Sequence, residues 1–364
     1  MSERIVVGMS GGVDSSVAAA LLVEQGFEVI GITLRVWPWR EPDTATSRFG
    51  SCCSPESVDD ARAVARRLGI PYYLLNTEAE FERVVIEPFA RAYAAGRTPV
   101  PCVACNRDVK FGSLVQRARA WDAVAVATGH YARITHDRAT GRFLLWRGRD
   151  ARKDQSDFLW PLTQAQLAAA RFPVGDLDKD AVREKARALG LVTADKPESQ
   201  EICFVPDDDY RGFLRRLTPE AFRPGPIEDG QGTVLGRHEG LANYTVGQRR
   251  GLGLATGRPL YVTGLDPSRN AVVVGDGDQV EVDRLRAGDV NFIAISALTG
   301  PLAVAAKIRH SHEPAAATIE PLESGGVLVR FERPQRAPAP GQSVVFYQGD
   351  LVVGGGIIAR PEVP

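Results

Sequence analysis

No stretch of this chain comes near the roughly 18 consecutive apolar residues of a membrane-spanning helix, so no membrane segment is expected. Neither charge is in excess: 44 Lys and Arg stand against 45 Asp and Glu, for a net charge of −1. Such a balance neither supports nor excludes a polyanionic partner. A nucleic acid would have to be met by a local basic patch and not by the field of the whole molecule. The first residues enter a strand directly, without the apolar segment of a secretory signal, and a cytoplasmic location is the expectation. Cysteine is scarce, at Cys52, Cys53, Cys102, Cys105 and Cys203. A small, odd number in that compartment argues for reactive thiols or metal ligands over a structural disulfide framework. There is no internal repeat, no Gly-Lys-Ser/Thr of a Walker loop and no dinucleotide-fingerprint spacing.

What is present is ordinary globular material, 44% hydrophobic and 24% charged. At 364 residues it is too long for one typical core, and two or three domains are expected. The most informative stretch is Gly8-Met9-Ser10-Gly11-Gly12-Val13-Asp14-Ser15. Before it, Arg4-Ile5-Val6-Val7 reads as a buried strand. After it, residues 16–25 are good helix formers stopped by Gly26. A strand-to-helix turn aims several backbone N–H groups and the positive end of a helix at one point, which suits an anion. Gly11 and Gly12 let the backbone bend and a phosphate approach. Ser10 and Ser15 add hydroxyls, and Asp14 is a candidate ligand for Mg2+. The stretch resembles the SGGxDS loop of the ATP-pyrophosphatase superfamily, whose members split ATP between its α and β phosphates and adenylate a substrate.

Residues 1–206 alternate strand and helix. Strands are expected at 27–34, 71–75 and 123–128, and helices at 57–68, 78–93 and 108–120. Apolar strands in this order imply an α/β fold, a doubly wound parallel sheet covered on both faces. Ligands of such sheets lie at the carboxyl ends of the strands. Leu34 and Gly129 fall at that edge and are candidates to line an adenine or ribose pocket. Residues 37–55 break the rhythm and read as a long mobile loop over the site, its two cysteines most simply bystanders. Residues 207–277 mix a short helix at 209–217 with Gly- and Pro-rich turns. From 278 to the end, short alternating strands with turn signals suggest a small β-barrel.

Cys105 stands just ahead of the helix expected from Asp108, where the helix dipole favours a thiolate. A zinc site lacks a matching His/Cys pair, and the context is wrong for a thioredoxin-like pair. Cys102, Cys105 and Cys203 could hold an iron–sulfur cluster with an open iron site, or Cys105 and Cys203 could face each other as a working thiol pair. Periodicity does not choose between these. The basic cluster Arg142, Arg147, Arg149, Arg152 and Lys153, and the pair Arg249-Arg250, read either as solvated faces or as phosphate contacts.

Taken together, the glycine loop, Pro101-Cys102-Val103-Ala104-Cys105-Asn106, Ala127-Thr128-Gly129-His130-Tyr131-Ala132, Lys153-Asp154-Gln155-Ser156, Ser199-Gln200-Glu201-Ile202-Cys203-Phe204, Gly247-Gln248-Arg249-Arg250-Gly251-Leu252-Gly253 and Gly341-Gln342-Ser343-Val344-Val345-Phe346-Tyr347 resemble, in order and over the whole chain, the bacterial tRNA 2-thiouridylase family. The resemblance implies a nucleotide α-hydrolase-like domain, a small central tRNA-contacting domain and a C-terminal β-barrel, here 1–206, 207–277 and 278–364. It implies ATP-dependent 2-thiolation of the wobble uridine in the tRNA anticodon stem-loop, with release of AMP and pyrophosphate. ATP, with Mg2+, would be bound by Gly8, Met9, Ser10, Gly11, Gly12, Val13, Asp14, Ser15, Leu34 and Gly129. Cys105 would be the nucleophile and Cys203 the persulfide carrier, the two passing through a disulfide. Sulfur would come from a donor protein, a cysteine desulfurase or a sulfur relay. Contacts to tRNA would come from Val100, Pro101, Cys102, His130, Lys153, Asp154, Gln155, Arg309, His310 and Gln342. Where many members carry Asn, this chain has Val100, which removes an amide hydrogen bond to the base. The rival readings are an ATP-pyrophosphatase amide ligase, which needs no paired thiols, a non-catalytic RNA- or metal-binding protein, and the same thiolation run on an iron–sulfur cluster.

Overall fold

A computed structural model describes residues 2–37, 54–198, 202–205 and 209–359. Most of the loop expected over 37–55, with Cys52 and Cys53, lies outside the described residues. By internal contacts the chain forms two compact units. The first comprises Met1–Val85, Pro101–Asp208 and Asp350–Val352; the second comprises Ile86–Val100, Asp209–Gly349 and Val353–Pro364.

The first unit is built on a parallel sheet. Its strands are β1 (Arg4–Gly8), β2 (Glu28–Arg35), β3 (Tyr72–Asn76) and β4 (Ala123–Ala127). An antiparallel hairpin follows, β5 (Ala132–Asp137) and β6 (Arg142–Arg147), and then the two-residue β7 (Ala170–Arg171). The sheet order is β3-β2-β1-β4-β7, all parallel. The order reverses between β1 and β4, and the crevice there is where a ligand of a doubly wound sheet belongs. Ile5, Val6 and Val7 are fully buried, as an apolar run covered on both faces requires. Each such side chain contributes roughly 1.5–3 kcal/mol by leaving water.

Two helices meet that crevice. The Ala-rich helix α1 (Val13–Glu24) leaves β1 through the glycine loop. The amphipathic α2 (Pro55–Leu68) has Ser54 as N-cap, accepting from the Ser57 N–H at 3.2 Å, and Pro55 in its first turn. It stops at Gly69 in the left-handed region (φ +70°). Val17, Ala18, Ala61, Val64 and Ala65 from these helices pack with Ile5, Val7 and Ala125 of the sheet and with Val182 and Ala186 of the helix Lys179–Ala188. The β5–β6 hairpin and the helix Lys179–Ala188 are additions to the expected pattern.

In the second unit, residues 207–277 prove to hold more strand than turn signals alone implied. Strands β8 (Gly225–Glu228), β9 (Val234–His238), β10 (Tyr261–Asp266) and β11 (Ala271–Gly275) form a sheet of order β10-β11-β8-β9 over a core of Ile227, Val262, Val272 and Val274. The rest is the expected barrel. Strands β12 (Glu281–Phe292), β13 (Leu302–Lys307), β14 (Ala315–Pro321), β15 (Val327–Arg336), β16 (Ser343–Gln348) and β17 (Leu351–Ile358) run in the order β12-β15-β14-β13-β16-β17, and β17 pairs back onto β12. Closure removes the exposed edges of an open sheet. Ile308, Ile319, Val329, Val344 and Phe346 fill the interior.

Candidate active site: a phosphate loop and three thiols around one cavity

A cavity of about 400 Å³ opens at the carboxyl edge of the parallel sheet, entirely within the first unit. Its walls include every residue of the glycine loop, 8–15, together with Leu34 and Gly129. The loop is pre-shaped by its own hydroxyls. Ser15 Oγ accepts from the Ser10 N–H (3.1 Å) and donates to the Gly12 carbonyl (3.1 Å), while Ser16 Oγ donates to the same carbonyl (2.8 Å). Gly12, the N-cap of α1, has no side chain to cap the first turn, which leaves those N–H groups to a ligand. The loop's other flank is pinned by Met9: its N–H donates to Ile32 O (2.7 Å) and its carbonyl accepts from Thr33 Oγ1 (2.6 Å).

Two glycines are fixed by close approach. A Cβ on Gly11, itself at φ +71°, would stand 2.1 Å from the Ser57 carbonyl oxygen in the first turn of α2. A Cβ on Gly129 would stand 2.5 Å from Ser15 N, at the start of α1. The β4 end therefore rests directly on the helix terminus that faces the cavity.

The thiols reach the same space. Cys102 and Cys105 line the cavity from one wall, and Ile202, Cys203 and Phe204 line it from another. Cys102 is exposed, Cys105 and Cys203 are half-buried, and none of the three is in a disulfide. Phe204 anchors the Cys203 segment by an edge-on contact with Phe81, 5.6 Å between ring centres. The helix bearing Cys105 begins earlier than Asp108. Pro101–Ala104 is α-helical, Cys105–Ser113 has π-helical geometry, and Leu114–Arg119 returns to α. Pro101 starts it, a residue whose missing N–H and fixed φ suit a first turn. Cys105 thus sits one turn in, where the dipole acts on it less than expected, and Cys102 is nearer the terminus. π-helical distortions recur at functional sites because they turn side chains out of helical register.

Other expected site residues divide clearly. Pro101, His130, Lys153 and Gln155 line the cavity. His130 is buried, its Nδ1 2.7 Å from Thr128 Oγ1 and its ring against Phe111 and Phe172. Gln155 Oε1 accepts from the Tyr131 N–H (3.1 Å). Asp154 turns inward. Its carboxylate accepts from Gly148 N–H, Ser156 N–H, Ser156 Oγ and Arg147 Nε, all at 3.0–3.1 Å, so it shapes the Lys153–Gln155 turn from beneath. In the second unit, Gln342 Nε2 donates to the Thr98 carbonyl (3.0 Å), two residues before Val100. Arg309 donates to the Arg336 carbonyl, and His310 is exposed.

Two measurements test these assignments. Replacing Asp154 with Ala strands buried donors, and we expect a loss of about 3–5 kcal/mol in chemical denaturation. Burial, and then the nearby Lys110 charge, hold His130 well below the ordinary imidazole range. With its folded pKa depressed, its contribution to stability is full above the unfolded value and is lost as pH falls. Stability should fall as pH drops from about 8 towards 5, and in His130→Gln that part of the slope should vanish.

The cavity also gathers charges that the sequence did not single out. Lys110, Lys179, Lys196 and Glu198 all line it. Lys179 Nζ lies 2.8 and 2.9 Å from the two oxygens of Asp14 and 2.8 Å from Glu198 Oε1. Lys153 Nζ holds the other Glu198 oxygen at 2.6 Å. Tyr131 OH donates to Asp14 Oδ1 at 2.7 Å. Burial first, then the Asp14 charge, pushes the Tyr131 phenol far up, so it remains a donor. Burial pushes the Glu198 carboxyl up, but the hydrogen bonds from Lys153 and Lys179 outweigh it and leave it below its usual range. Asp14 is thus committed to an ammonium and a phenol. Among the described residues no three His, Cys, Asp or Glu side chains are gathered to hold a metal ion. A Mg2+ ion arriving with a nucleotide would take its ligands from the phosphates and water, with Asp14 the expected protein carboxylate.

Residues 3–207 match the family described as the tRNA methyl transferase HUP domain, 211–276 its PRC-barrel domain, and 282–358 the aminomethyltransferase beta-barrel domain. The chain is 55% identical over 362 residues to the tRNA-specific 2-thiouridylase MnmA of Heliobacterium modesticaldum, covering 99% of this chain and 93% of that one. The chain belongs to the tRNA-specific 2-thiouridylase family. The member from Symbiobacterium thermophilum is 53% identical over the same shares, and that from Acetivibrio thermocellus 52% over 98% of this chain and 99% of its own. Among solved structures, a 4-thiouridine synthetase–RNA complex with bound ATP aligns at a TM-score of 0.35 and 16% identity, over 60% of this chain and 51% of that one. That likeness is too slight to argue from.

Proposed function

We propose that the protein converts the wobble uridine of tRNA to 2-thiouridine at the cost of ATP, releasing AMP and pyrophosphate. The observation that carries this reading is the single cavity lined by the phosphate loop, Cys105 and Cys203. An amide ligase of the same superfamily would use the loop and leave the thiols idle. A 2-thiouridylase needs both within reach of one base.

ATP enters with its phosphates over residues 8–15 and its adenosine toward Leu34 and Gly129. The uracil O2 attacks the α-phosphorus, the bond to the β-phosphate oxygen breaks, and pyrophosphate leaves with the electron pair. The uncapped N–H groups of α1 face the charge that develops. A persulfide on Cys203, supplied by a sulfur-donor protein, attacks C2 with its outer sulfur and expels AMP. The Cys105 thiolate then attacks the inner sulfur and frees the thiocarbonyl. A Cys105–Cys203 disulfide remains, and a cellular reductant restores two thiols. The target base must leave its stack, which is cheap in an anticodon loop. Pro101, Cys102, His130, Lys153 and Gln155 are the proposed contacts around it, with Asp154 positioning their turn. Val100 belongs with Pro101 and Cys102 to the segment proposed to face the base, and Arg309, His310 and Gln342 are proposed contacts to the rest of the tRNA. The reading places the enzyme in the cytoplasm, with domains at 1–206, 207–277 and 278–364.

The reading is tested by following pyrophosphate release with ATP and Mg2+ and no sulfur source, because AMP stays on the uracil oxygen until sulfur displaces it. Pyrophosphate should be released only when tRNA with a wobble uridine is present. Equal release without tRNA, or release that requires ammonia or glutamine, would point to the ligase.

A further inference from the structure

Sulfur transfer uses two of the three thiols that line the cavity. The third, Cys102, is exposed, whereas Cys105 and Cys203 are half-buried. The Cys203 segment is anchored from within: Phe204 and Val205 are buried, and the Val205 N–H closes a turn onto the Ile202 carbonyl at 2.9 Å. A disulfide between Cys105 and Cys203 is therefore made inside the cavity. Thiol–disulfide exchange depends on access to the attacked sulfur, and a protein-sized reductant has little access there. Cys102 stands three residues before Cys105 in one helical run, Pro101–Ala104 followed by Cys105–Ser113. Side chains at that spacing are neighbours, with Cβ atoms roughly 5–6 Å apart, and a disulfide needs about 3.5–4.5 Å, so a small shift of this one turn joins them. We propose that Cys102 is the resolving thiol of the cycle: its thiolate attacks the Cys105 sulfur of the Cys105–Cys203 disulfide, the Cys102–Cys105 bond forms as the Cys105–Cys203 bond breaks, and the electron pair leaves on Cys203, which takes up a proton. A protein dithiol reductant then attacks the exposed Cys102 sulfur. It supplies the two electrons, becomes a disulfide itself, and leaves Cys102 and Cys105 as thiols. The fold is not that of a thioredoxin, and the pair receives its disulfide from a neighbouring thiol of the same chain. The inference rests on the proposed thiolation, which makes the first disulfide, and adds the route by which the oxidation reaches the surface.

The test uses the full-length protein in two measurements. In the first, protein loaded with persulfide and freed of excess sulfur makes one turnover on tRNA without reductant, and the bridged peptides are mapped by mass spectrometry after an acid quench. Wild type should show the Cys105–Cys203 bridge first and Cys102–Cys105 later, and Cys102→Ser should stop at Cys105–Cys203. A wild-type bridge that stays on Cys105–Cys203 overturns the inference. In the second, protein oxidised with one equivalent of diamide is reduced by thioredoxin, followed through NADPH consumption by thioredoxin reductase. Cys102→Ser should be reduced at least about tenfold more slowly than wild type. Reduction of the variant within twofold of wild type overturns the inference. Failure of the thiolation reading is separable, because the second measurement needs neither tRNA nor sulfur. Protein that thioredoxin reduces through Cys102 but that never thiolates tRNA would overturn the proposed function and leave the exchange standing.

Discussion

In Cys203→Ser, formation of 2-thiouridine should fall at least about a thousandfold while tRNA-dependent pyrophosphate release in the first turnover stays within about threefold of wild type. The split follows from the two parts of the cavity. The loop, Leu34 and Gly129 activate the base without either sulfur, whereas transfer has no other atom to use. Cys105→Ser should show the same loss of product with a different residue of chemistry. Its first turnover should stop with the base still joined to Cys203, since the thiol that releases it is gone. Mass spectrometry of the protein–tRNA adduct after one turnover distinguishes the two. Full activity in both variants would return the loop to the ligase reading, and loss of pyrophosphate release in both would mean that the thiols serve structure.

The second large effect is expected from one methyl group. Gly129→Ala places a Cβ 2.5 Å from Ser15 N and 2.6 Å from Asp14 C, and both are backbone atoms of the helix start that faces the cavity. No side chain can swing aside, so β4 and α1 must part. A displacement approaching 1 Å at a site of this kind costs on the order of a hundredfold in rate, and the overpacking costs roughly 1–3 kcal/mol of stability. ATP binding and tRNA-dependent AMP formation should both collapse while the fold, read by thermal melting, survives. By contrast, alanine at Gly26 meets nothing within 4 Å; its φ of +86° strains the backbone far from the cavity, so stability should fall and AMP formation should not.

Much of this site was legible in the chain because its signals are local. The strand, the glycines, the hydroxyls and the following helix sit within about twenty residues, and each of them speaks for the same turn. The barrel was legible from period-two strands separated by turns. Three things were not. Lys179 looks like a solvated helix-terminal lysine, since nothing near it in sequence hints at Asp14. Tyr131 reaches Asp14 across 117 residues, and Glu198 joins the same network through Lys153 and Lys179. The strands of β8–β11 are short and interrupted by Gly and Pro, so turn chemistry masked them. The start of the Cys105 helix was misplaced because Asp108 is a good first-turn residue, but Pro101 is a better one.

The most direct test of the central claim is nucleoside mass spectrometry of tRNA treated with the protein, ATP, Mg2+ and a persulfide source. A sulfur-for-oxygen mass gain confined to the wobble uridine, absent when ATP is omitted and absent with Cys105→Ser/Cys203→Ser, is the predicted result. Wobble uridine that stays unmodified under these conditions, or thiolation that persists without both thiols, would contradict the account.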